Sequence, residues 1–131
     1  MREVHAKLAA AAAGSPDPLE ALKRGIAAFL KICTEPKVQR ILLIDAPAVL
    51  GWPKWRAMDS RYGFGLIKQA LSRAMHAGLL HHYDADVLAH VLLGAITEAA
   101  MVVARSTNSA KTRKEAETVL ASLIAGWRVA D

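Results

Sequence analysis

Apolar residues recur every three or four positions along most of the chain, and Asp, Pro and Gly interrupt the pattern at intervals. That rhythm predicts helices with marked ends. Residues 2–13 read as a first helix from their alanine content, with Val4 and Leu8 one turn apart, ended by Gly14, Ser15 and Pro16. Asp17 caps the next, with Pro18 at its first position, where a missing N–H is harmless. Leu19, Leu22, Ile26, Phe29 and Cys33 give it a one-sided stripe. Thr34 and Pro36 close it and open a short helix, "KVQRILLID", which Pro47 and Gly51 stop.

Pro53 restarts the chain as a long helix over 53–77. Trp55, Asp59, Tyr62 and Leu66 line one face; Phe64, Ile67, Leu71 and Met75 line another. Two apolar faces predict a sandwiched helix. Gly63 and Gly65 lie inside it, each costing on the order of 1 kcal/mol in propensity, which predicts a close neighbour or a bend. Gly78 is a stop and Asp84 a cap. The helix over 85–105 is apolar nearly all round. In "STNSA" Ser109 is the expected cap of a last helix over 110–129, striped by Ala116, Val119, Leu120, Leu123, Ile124 and Trp127. No internal repeat and no strand-like alternation appear. The expectation is an all-α domain of six helices spanning 1–131.

Composition agrees. The chain has 131 residues, 53% hydrophobic and 22% charged, which fits one globular unit. Aromatics are only 5%, so the helices pack through small side chains. The single cysteine, Cys33, excludes an intrachain disulfide and points to a reducing cytoplasm. The net charge is +5, but Lys and Arg are dispersed and the densest run is "KTRKE" at 111–115. Dispersed charge reads as solvated surface rather than a DNA-reading patch. The start carries charges of both signs and no apolar core, so no signal peptide is expected. The apolar run 87–104 holds His90, Thr97 and Glu98, which favours a buried helix over a membrane span.

Candidate chemistry is sparse. His76, His81, His82 and His90 cluster in sequence, yet adjacent histidines in a loop point apart and no Cys or carboxylate completes a metal spacing. No nucleophile elbow, phosphate loop, dinucleotide fingerprint or zinc-protease motif occurs, so neither an enzyme nor a cofactor is expected. Asp45, Asp59 and Glu98 sit in apolar surroundings. Each is either a structural acid with an Arg or backbone partner, or a polar anchor in a cavity. His90, Gly94, Thr97 and Met101 form a mildly polar strip, open to solvent or lining a cavity or interface.

Taken together, "RILLIDAPAVLGWPKWRAMDSRYGFGLI", then "AGLL…DADVLAHVLLGAITEAAMVVA" and a final amphipathic helix resemble the C-terminal regulatory domain of TetR-family transcriptional repressors. The likeness runs from about Pro16 to Val129. Such repressors begin with a helix-turn-helix module that is not found in these residues. DNA binding is therefore expected only through that module, whether the chain is an excised domain or a natural protein without it.

The resemblance implies a homodimer, paired through the last two helices in a four-helix bundle, that binds a small, mostly apolar effector. Val91, Leu92, Ala95, Ile96, Ala99 and Val103, with Val119, Leu120, Leu123, Ile124 and Trp127, are the expected interface. Phe29, Leu42, Leu43, Trp55, Met58, Asp59, Tyr62 and Leu66 are the expected effector cavity, closed by Leu93, Thr97 and Met101. A helical dimerisation module with a filled core and no ligand is the rival reading.

Overall fold

In the computed structural model, Asp17 accepts hydrogen bonds at Oδ1 from the N–H groups of Leu19 (2.9 Å) and Glu20 (3.4 Å) and so caps the first helix. The structure describes the backbone of residues 17–40 and 52–130 and the side chains of 17–40 and 64–130. The helix expected over 2–13, the second half of the short helix and its stops at Pro47 and Gly51 lie outside these residues.

Five helices are described: α1 (Pro18–Ile32), α2 (Pro36–Arg40), α3 (Trp52–His76), α4 (Ala85–Arg105) and α5 (Ser109–Ala125). No strand forms among the described residues beyond one isolated bridge. The stripe of α1 is buried at Leu19, Leu22, Ile26 and Leu30, and continues into Cys33. α2 buries no side chain fully, though Val38 packs on the core.

α3 ends in a glycine-terminated motif. Gly78 has φ +79°, a left-handed value that costs glycine little, and its N–H donates to Met75 O (3.1 Å). The Leu79 N–H reaches back to Ala74 O (2.9 Å), satisfying a second carbonyl of the last turn. Ile67, Leu71, Ala74 and Met75 form the buried face of α3, and Phe64 packs against it. Gly65 is different. It is exposed, and an added Cβ would meet nothing within 4 Å, so no close neighbour accounts for it.

Asp84 caps α4 by accepting from Val87 N–H at 3.0 Å. α4 is long and apolar enough to cross a bilayer, with a mean hydropathy of 2.0, but more than half of that apolar window is buried in the fold. It packs on α1, α3 and α5. α3 and α4 run antiparallel, since Phe64 meets His90 and Lys68 meets Asp86.

Two boundaries differ from expectation. α5 is capped by Asn108, whose Oδ1 accepts from Lys111 N–H (3.3 Å); Ser109 is the first helical residue. Asn108 is held by the Ser106 hydroxyl, which accepts its N–H (3.1 Å) and bonds Thr112 Oγ1 (2.6 Å). At the other end α5 stops at Ala125. The chain then turns through Gly126, and Arg128 bridges antiparallel to Leu80.

Candidate functional site

Leu93, Thr97 and Met101 stand one turn apart on α4 and are 9%, 5% and 8% exposed, a single row turned into the core. Thr97 is the buried polar side chain among the described residues, one hydrogen-bonding group between two hydrocarbon neighbours. Leu93 and Met101 belong to the same apolar cluster that Phe29 packs against from α1. Leu66 is half-buried and lies on the opposite side of α3 from Phe64 and Leu71. Of the expected cavity residues, Leu42 and Leu43 lie outside the described residues, as do the side chains of Trp55, Met58, Asp59 and Tyr62.

The strip that begins at His90 dives inward. His90 is exposed, Gly94 is half-buried, and Thr97 and Met101 are buried. His90 Nδ1 lies 2.8 Å from Asp86 O, and its ring packs at a tilt of 43° against Phe64 with centroids 4.3 Å apart. Glu98 is not a buried acid: its side chain is 70% exposed and pairs with Arg105 at 3.7 Å. An acid in the middle of an apolar helix escapes burial here because α4 keeps one face outside. Asp45 lies outside the described residues.

That outer face separates the expected interface residues into three sets. Leu92, Ile96, Val103, Leu120 and Ile124 are all at 5% exposure or less and fill the domain's own core. Ala95, Ala99 and Trp127 are half-buried against it. Val91 (54% exposed), Val119 (66%) and Leu123 (37%) remain outside. Two exposed valines that spacing also offered, Val87 and Val102, were not singled out from the sequence. Val87 stands one turn before Val91 and Val102 three turns after it, so α4 carries an outer apolar stripe broken at Glu98. The signal was present, but on a helix apolar nearly all round periodicity does not separate core from surface.

Among the described residues the domain is helical, with no strand beyond the one bridge, and the largely apolar α4 packs on α1, α3 and α5. Residues 19–127 match the family described as Tetracyclin repressor-like, C-terminal domain, and the chain belongs to that family. The crystal structure of a TetR-family transcriptional regulator from Pectobacterium atrosepticum is similar at 26% identity and a TM-score of 0.84. The match covers 98% of this chain and 66% of that one, so the chain spans just under two thirds of the regulator's length. No curated protein matches the chain.

Proposed function

We propose that this regulatory domain of a TetR-type regulator forms a homodimer through the outer faces of α4 and α5 and binds a small, mostly apolar effector. Effector binding shifts the spacing of two DNA-binding modules, which lie outside the matched residues. The observation that carries the reading is the set of five large aliphatic side chains held in water on these two helices: Val87, Val91, Val102, Val119 and Leu123. Single exposed aliphatics need no explanation, but two stripes on neighbouring helices favour burial against a second copy.

The effector cavity is proposed between α1, α3 and α4: Phe29, Leu93, Thr97 and Met101 would line it together with Trp55, Met58, Asp59 and Tyr62 of the first half of α3, and Leu66 would border it only from the flank of that helix. Leu42 and Leu43 are proposed as further lining residues. Thr97 would add one hydroxyl to the few polar groups of a mostly apolar wall, a common composition for ligand sites. The rival, a dimerisation module with a filled core, is favoured by the low exposure of Leu93, Thr97 and Met101.

Sedimentation velocity tests the assembly: a dimer is expected, and a monomer at micromolar concentration overturns it. Titration with apolar and cationic aromatic compounds tests the cavity. Saturable change in Trp52 and Trp55 emission, weakened by Tyr62→Ala, supports it; a dimer with no such response leaves the rival.

A further inference from the structure

A concavity of about 290 Å³ opens between α1 and α5. Its floor is Ile26, Ala27, Leu120, Ala121 and Ile124, of which Ile26, Leu120 and Ile124 are among the buried core residues. Its rim is Glu20, Lys23, Arg24 and Glu117. The size is just below the usual range of small-molecule sites, about 300–1,000 Å³, and suits a short ligand.

The rim charges are not equivalent. Glu20 pairs with Arg24 one turn on (3.5 Å), and Glu117 pairs with Arg113 (3.0 Å) at half-buried positions. Both acids are thus answered by an arginine of their own helix. Lys23 has no ion-pair partner among the described residues, and it is half-buried at the groove edge. A lysine whose stem can lie along the groove edge while its ammonium faces water, with its neighbours' charges already matched, is complementary to an anion with an apolar body.

We propose that the α1–α5 groove binds a small carboxylate amphiphile, its head group on Lys23 Nζ and its hydrocarbon on Ile26, Ala27, Leu120, Ala121 and Ile124. The site is distinct from the effector cavity proposed above and does not depend on it. A carboxylate suits the rim better than a cation, because Glu20 and Glu117 already have their arginines. Occupancy would fasten α1 to α5 along one edge of the bundle.

The test uses octanoate as the probe, with octanol and octylammonium as controls of the same length, followed by methyl-resolved NMR of the full chain. Octanoate is expected to shift the Ile26, Leu120 and Ile124 methyls saturably. Lys23→Gln should weaken it about tenfold, the loss of one charge-assisted bond. Octanol should bind Lys23→Gln and wild type alike, and octylammonium should be the weakest of the three. Ala121→Phe, which fills the groove from a half-buried position, should abolish the shifts. Equal octanoate affinity in wild type and Lys23→Gln overturns the proposal, as do shifts confined to Leu93 and Met101. The second outcome would place octanoate in the effector cavity, and a response only in Trp55 emission would do the same.

Discussion

The backbone N–H of His81 donates to the carbonyl of Trp127 at 3.0 Å, and the N–H of Val129 donates back to Leu79 O at 3.0 Å. Forty-odd residues and two helices separate these segments in sequence. The pair of bonds fastens the end of α5 to the α3–α4 turn, over Leu80, which is 1% exposed.

Val129→Pro removes one of these donors and leaves the Leu79 carbonyl unanswered. A loss of about 1 kcal/mol is expected in urea denaturation. Amide exchange at His81 should quicken with it. Unchanged exchange at His81 would mean that the bridge does not hold the two ends together.

Leu123 and Ile124 are sequence neighbours with opposite surroundings, at 37% and 1% exposure. Leu123→Glu is expected to leave a folded helical protomer that sediments as a monomer. Ile124→Glu buries an unpaired charge in the core and should unfold it, since total stability is only roughly 5–15 kcal/mol. Circular dichroism and sedimentation, run on both variants, separate the two outcomes.

The glycines of α3 and of its exit should respond in opposite directions. Gly65→Ala adds a methyl to open space in a helix interior and should stabilise by about 0.5–1 kcal/mol. Gly78→Ala forces a left-handed residue at φ +79° and should destabilise by about 1 kcal/mol. Midpoint shifts of the same sign would contradict the description of Gly65 as spare.

Removing the cap of the central helix is the last test. Asp84→Ala leaves the Val87 N–H without its acceptor and should cost about 1 kcal/mol, while Asp84→Asn should recover most of it. Failure of the asparagine variant to recover stability would point to a charge effect instead of the hydrogen bond.

Local features were the readable ones. Asp17, Asp84 and Gly78 act within a few residues of themselves, so their roles stand in the sequence unaided. The α3 face of Ile67, Leu71 and Met75 was also legible, because its periodicity belongs to one helix. What depended on neighbours was not. Glu98 is solvated because α4 leaves one face uncovered, and Leu92 is buried because α4 covers the other; the spacing of apolar residues is the same for both. The end of α5 was missed for a related reason. A single bridge at Arg128 needs no alternating pattern, and Trp127 reads as one more member of a helical stripe. Asn108 and Ser109 are both good caps, and only the reach to Lys111 N–H decides between them.

Cys33, the chain's one cysteine, is 0% exposed at the end of α1. Thiol reagents will therefore find the native molecule almost silent, and a cysteine placed at Val87 or Val102 becomes a single address per protomer. In the proposed dimer a spin label there would report one distance between the two copies, with no background from the native thiol. Left unaltered, Cys33 is a clock: its rate of modification counts how often the core parts far enough to admit a small reagent.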